Sequence, residues 1–137
     1  MPPEDRFVAK TSLQVRYAET DSMRIVHHSN YIVYFEEGRS AYARQRGKPY
    51  SALEASGLFL TVTEVNARYV KPAIYEQNLT IYAWIAEMKS RGLTFQYEIA
   101  DSETDDTMVT GMTKHICITH EGKITRIPDA WRAWGDA

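Results

Sequence analysis

Within residues 18–29 the chain gathers Glu19, Asp21, Arg24, His27 and His28. Such side chains do acid–base or nucleophilic chemistry. A carboxylate can attack an electrophilic carbon or take a proton from water. Read from residue type alone, Asp21 also suits a turn or the cap of a following helix, because loop aspartates bond nearby backbone amides. His27 and His28 are adjacent, so their side chains diverge. His115, Cys117 and His120 follow no compact ligand motif, and no metal site is expected.

The elements around this loop must position it. Leu13, Val15 and Tyr17 alternate with Ser12, Gln14 and Arg16, which predicts a strand over 11–17. A helix is predicted over 30–46, with Ser29 as its N-cap. Tyr31, Phe35, Gly38 and Tyr42 share one face of it. Gly38 and Ala41 are small enough to let another backbone approach. Gly47 and Pro49 end the helix, and a short helical turn is predicted over 50–55. Strands follow over 59–70, 78–88, 93–99 and 108–119, joined by turn residues. In the second of these, Leu79, Ile81, Ala83 and Ile85 face one side and Tyr82 and Trp84 the other. The tail over 128–134 suits a helical turn with proline at its start. One helix cannot cover both faces of a parallel sheet, and short links favour antiparallel pairing. The fold class is therefore α+β, a curved antiparallel sheet wrapped around one long central helix.

Length and composition narrow the class. A chain of 137 residues suits one domain over 1–137, with residues 1–10 poorly ordered. Apolar residues are 44% and charged residues 25%, as in ordinary globular domains. The net charge of −2 gives no general surface for nucleic acid or membrane. The lone Cys117 forms no intrachain disulfide, and its apolar neighbours Ile116 and Ile118 place it as a buried, inert thiol. The polar first ten residues contain no apolar leader segment, and no apolar run approaches the ~20 residues of a membrane span. A cytoplasmic protein is expected.

The run Val15-Arg16-Tyr17-Ala18-Glu19-Thr20-Asp21-Ser22-Met23-Arg24-Ile25-Val26-His27-His28-Ser29-Asn30-Tyr31 resembles the opening signature of the 4-hydroxybenzoyl-CoA thioesterase-like family. Ala67-Arg68-Tyr69-Val70-Lys71-Pro72-Ala73 and Arg91-Gly92-Leu93-Thr94-Phe95 are similar to later stretches of that family, in the same order. The resemblance covers about residues 11–127 and implies a hotdog fold. It also implies hydrolysis of acyl-CoA thioesters without metal or redox cofactor. Dimers, often paired into tetramers, with sites at the subunit interface, are implied as well. The sequence departs from the family at Arg24, where glycine is usual. Arg24 is expected to bear on substrate and rate rather than on fold.

The resemblance also implies roles. A thioester needs a nucleophile and a stabiliser for its oxyanion, but no strong acid, because a thiolate leaves readily. Asp21 matches the catalytic carboxylate, acting as nucleophile or as base toward water. The backbone N–H of His28 matches the oxyanion donor at the head of the helix. Asn30 and Tyr31 match positions that shape the site, and Val62 sits in a strand that can line the acyl pocket. Lys89 and Arg91 match basic positions near the nucleotide of CoA, with Arg68 and Lys71 as weaker candidates. Glu36 or Glu37 is the second choice for the carboxylate, since related hotdog enzymes place theirs on the helix. The rival readings are hydrolysis of acyl groups on a carrier protein, and a non-catalytic module that binds acyl-CoA.

Overall fold

Five segments of alternating or β-branched residues form strands: β1 (Ala9–Gln14), β2 (Leu58–Tyr69), β3 (Asn78–Met88), β4 (Gly92–Asp101) and β5 (Thr107–Thr119). The helices are α1 (His28–Gln45), α2 (Tyr50–Ala55) and α3 (Asp129–Arg132). The computed structural model describes residues 1–136. The strands make one sheet in the order β1-β3-β4-β5-β2, with every neighbouring pair antiparallel. The sheet curves around α1. This is the expected α+β hotdog architecture. Among the described residues no helix is long and apolar enough to cross a membrane.

Several boundaries shift by one to three residues from the sequence reading, and two of the shifts bear on the loop before α1. Strand β1 runs Ala9–Gln14, not 11–17. Its ladder ends at the Gln14–Asn78 pair because β3 itself begins at Asn78. Tyr17 instead opens a single 3-10 turn, Tyr17–Glu19. Helix α1 begins at His28, and its cap is His27 rather than Ser29. The imidazole Nδ1 of His27 accepts from the Ser29 N–H at 3.2 Å, doing the work usually done by a serine or aspartate oxygen. In the N-terminal segment, Arg6 donates to the Ile85 carbonyl at 3.1 Å and Phe7 meets Tyr42 edge-on.

Helix α1 turns Tyr31, Tyr34, Phe35, Gly38 and Tyr42 into the core. The sheet answers with Leu79, Ile81, Ala83 and Ile85, all buried as their alternation predicts. Phe35 stacks flat on Tyr97 with ring centroids 4.5 Å apart, and Tyr42 meets Phe95 edge-on at 5.3 Å. Two glycines allow the close approach. A Cβ on Gly38 would lie 2.7 Å from Ile81 Cγ2, and one on Gly111 would collide with the Phe35 ring. Cys117 is buried, and burial pushes its thiol up, away from reactivity.

The core also holds a polar chain. The Tyr97 hydroxyl lies 2.6 Å from Thr113 Oγ1, which lies 2.7 Å from His115 Nε2. Burial, reinforced by the positive charge of Arg39, pushes His115 down to about 4.

Two isolated bridges, Thr20–Val26 and Ile25–Ile74, shape the loop before α1. The Asp21 carbonyl accepts from the Arg24 N–H, and the Asp21 N–H donates to the Ile25 carbonyl, both at 2.9 Å. Reversing the chain in so few residues requires a left-handed residue, and Arg24 supplies it at φ 67°. Arginine here keeps the backbone shape that glycine favours, at a cost of about 1 kcal/mol.

That strain predicts an order of stability. Arg24→Gly is expected to gain up to about 1 kcal/mol, relief of strain being partly offset by the freer unfolded chain. Arg24→Val is expected to lose about 1 kcal/mol or more, since a β-branched residue tolerates this φ poorly. Urea unfolding would show the order glycine, arginine, valine; equal midpoints for the two variants would refute it. His115 predicts an acid response. An unfolded histidine titrates near ~6.5, above the folded value, so the unfolded chain binds the extra proton. This part of the stability is complete above pH ~6.5 and is lost as pH falls toward about 4. Between pH 7 and pH 4.5 the parent is expected to lose about 2–3 kcal/mol more than His115→Gln. Parallel pH profiles for the two proteins would refute this.

Candidate functional site

The bend at Asp21 and the head of α1 face a common cleft of about 340 Å³. Asp21, His28, Tyr31, Tyr69 and Lys71 line it together with Met23, Ile25 and Val70. One carboxylate oxygen of Asp21, Oδ1, accepts from the Met23 N–H at 2.8 Å, an Asx-type turn. The other oxygen has no hydrogen-bond partner among the described residues. Asp21 thus holds the turn with one oxygen and leaves the second for other chemistry.

His28 is the first residue of an 18-residue helix. Its N–H has no acceptor among the described residues, as expected where the first turn leaves amides unpaired. The helix dipole adds partial positive charge at that amide. Its carbonyl accepts from the Tyr69 hydroxyl at 3.1 Å. The His27 and His28 rings stack with centroids 4.2 Å apart, so these adjacent side chains converge rather than diverge as the sequence suggests.

Tyr31 lines the cleft, and its hydroxyl accepts from the Ala73 N–H at 3.0 Å. Burial pushes its phenol up, and the neighbouring Asp21 charge adds to the effect, so Tyr31 stays protonated. Asn30 turns away from the cleft lining. Its side-chain amide donates to the Glu19 carbonyl at 3.0 Å, so it bears on the cleft through the loop.

Val62 is 41% exposed on β2 and does not line the cleft of its own chain. Lys89 and Arg91 lie in the β3–β4 turn, at the far end of β3 from the loop over 71–77. Eleven strand residues separate the two ends, roughly 30 Å of chain. Lys89 pairs with Glu87 at 3.3 Å. Glu36 and Glu37 are exposed on α1 and do not line the cleft; Glu36 only approaches Arg39, at 3.9 Å. Arg68 lines a different groove, on the outer face of the sheet.

Tyr69 and Glu19 are functional candidates that the sequence reading left without a role. Tyr69 ends β2 and is 48% exposed. In the sequence the available signal was an aromatic near the end of a strand run, just before the Lys71-Pro72 turn. For Glu19 the signal was its three-residue spacing from Arg16. A larger groove, about 520 Å³, lies over Lys71, Glu76, Asp101, Glu103 and Asp106. Its Asp101 is consumed by turn bonds from Gln77, Glu103 and Thr104. It lacks an open helix head, so the smaller cleft is the better site for thioester chemistry.

Residues 15–135 match the Thioesterase-like superfamily. YneP of Bacillus subtilis (strain 168), named provisionally as an acyl-CoA thioesterase, is 34% identical over 114 residues, covering 83% of this chain and 82% of YneP. YbgC of Escherichia coli O157:H7, an acyl-CoA thioester hydrolase, is 28% identical over 91 residues, covering 66% of this chain and 68% of YbgC. The crystal structure of a DHNA-CoA thioesterase from Staphylococcus aureus superposes with a TM-score of 0.87 at 30% identity, covering 94% of this chain and 87% of that one. With a match over nearly its whole length and the same fold, the chain belongs to the Thioesterase-like superfamily.

Proposed function

We propose that this protein hydrolyses acyl-CoA thioesters to a carboxylic acid and CoA, as a member of the 4-hydroxybenzoyl-CoA thioesterase-like group. The observation that carries the reading is the shared cleft. Asp21, whose carboxylate has one uncommitted oxygen, and His28, whose amide is unpaired at the helix head, line the same space. With the thioester carbonyl oxygen on the His28 N–H, negative charge developing there meets a fixed donor and the positive end of α1. Asp21 then acts in one of two ways. As a nucleophile it forms a mixed anhydride and expels the CoA thiolate, and water later cleaves the anhydride. As a base it removes a proton from a water that attacks the same carbon; the C–S bond then breaks, and the CoA thiolate leaves and takes up that proton. Each route consumes one water per thioester and calls on neither metal nor redox cofactor.

The reading includes a homodimer. Strand β2 is an edge strand of 12 residues, with Val62 and Val65 41% and 39% exposed. An edge of that length is a template for another strand. Two copies of β2 paired antiparallel about a two-fold axis bring the Leu58 end of one to the Tyr69 end of the other. The turn with Lys89 and Arg91 lies at the Leu58 end: the Arg91 carbonyl accepts from the Cys117 N–H, and Cys117 pairs with Leu60. In the dimer, Lys89 and Arg91 of the second copy reach the cleft end and meet the phosphates of CoA, while Val62 lies along the seam between cleft and acyl group. Two such dimers form the homotetramer. A cytoplasmic setting completes the reading, supported by the single, buried thiol of Cys117.

Thiol release across a panel of acyl-CoAs tests the chemistry. Asp21→Asn is expected to lower kcat by about 10²–10⁴-fold with little change in KM. It should fold normally, because asparagine still accepts from the Met23 N–H. Full activity in that variant would move the carboxylate role to Glu37 or Glu36. Replacing Lys89 and Arg91 by alanine is expected to raise KM by about tenfold, a loss of roughly 1.4 kcal/mol, with kcat unchanged. An unchanged KM would remove that turn from CoA binding.

A further inference from the structure

We propose that Glu19 is a positioning residue of this site, one that holds the Asp21 bend in register with the head of α1. The inference rests on the reading of Asp21 and His28 given above. The Glu19 side chain is 10% exposed. Its Oε1 accepts from the Arg16 N–H and from the Tyr34 hydroxyl, both at 2.9 Å. Its Oε2 accepts from Arg16 Nε at 3.3 Å and Nη2 at 3.2 Å. Its main-chain carbonyl accepts from the His27 N–H at 2.9 Å and from Asn30 Nδ2 at 3.0 Å. One residue therefore grips the chain before the bend, the helix cap, and the first two turns of α1.

The two working groups flank this knot. Asp21 follows Glu19 by two residues, and His28 directly follows the bonded His27. No hydrogen bond joins the two among the described residues. The Asp21 N–H to Ile25 bond and the Thr20–Val26 bridge close the bend on itself, and Glu19 ties that bend to the cap and to Asn30 and Tyr34 of α1. Burial opposes the Glu19 charge, but the donors from Arg16 and Tyr34 outweigh it and hold the carboxyl below its usual range. In return, burial and that carboxylate keep the Tyr34 phenol protonated as a donor. The pair is self-consistent only as a carboxylate with a phenol. A neutral amide in its place turns an N–H group toward one of these donors and shifts the bend.

A displacement of about 1 Å between reacting groups costs about 10²-fold in rate. Glu19→Gln is therefore expected to lower kcat by about 10²-fold and to leave KM within about threefold. In an Asp21→Asn background the same change is expected to cost no more than about threefold, because both substitutions disable one contact. The experiment measures thiol release from an acyl-CoA for the parent, the two single variants and the double variant, with thermal melts beside them. Parental kcat in Glu19→Gln would overturn the inference. So would a loss that multiplies in full on Asp21→Asn, the mark of general weakening. Should Glu19→Gln fail to fold, Tyr34→Phe removes one donor and keeps the carboxylate. It is expected to lower kcat by about tenfold at unchanged KM, and an unchanged kcat would overturn the inference. A parent that releases no thiol removes both readings. An active parent that depends on Asp21 but is indifferent to Glu19 and Tyr34 removes only this one.

Discussion

A long helix can lie against a curved sheet only where the side chains between them are small or flat. Here the seat is made by Gly38, which lets α1 come down onto Ile81, and by Gly111, which leaves room for the Phe35 ring. Phe35 in turn lies parallel to Tyr97. These contacts set the height and roll of α1 and thereby where its first turn emerges. The proposed site depends on that emergence, because its proposed donor, the His28 N–H, is a backbone amide and has no side chain with which to search for substrate.

The head of the helix must be both fixed and open, two demands that usually conflict. Most helices cover their first amides with a cap. In α1 the cap, His27, takes the Ser29 N–H and leaves that of His28 unpaired. Rigidity comes from groups that do not compete for the amide. Tyr69 bonds the His28 carbonyl, Tyr31 bonds the Ala73 amide, and Tyr34 bonds the Glu19 carboxylate. Three tyrosines thus anchor α1 by their hydroxyl tips while their rings fill the core or wall the cleft. The left-handed Arg24 belongs to the same economy. Its strain is local, and it closes the turn in which the Arg24 N–H bonds the Asp21 carbonyl and the Asp21 N–H bonds the Ile25 carbonyl.

The long strands, the paired turns, the core-facing side of β3 and the length of α1 were all legible from periodicity. Burial requires apolar residues to repeat with the geometry of the element, every second residue in a strand and every third or fourth in a helix. Boundaries were less legible. The end of β1 depends on where its neighbour β3 begins, and the cap of α1 is a histidine whose ring acts as acceptor only in this orientation. Arg24 was legible as an anomaly but not as a solution, since residue type does not reveal φ.

What the sequence determined by itself was the order of elements, the fold class, and the short stretch that carries Glu19, Asp21 and His28. These follow from local patterns and from residue chemistry. What tertiary structure alone decided was which groups meet. Tyr69 reaches His28 across 41 positions of sequence, and Tyr31 reaches Ala73 across 42. Asn30, which reads as a site residue, serves the loop instead, and Lys89 and Arg91 lie a strand length from the cleft of their own chain. The physical reason is range. Periodicity records each residue's relation to its near neighbours and to water, whereas a cleft is formed by segments whose separation vanishes only once the sheet has paired and curved around the helix.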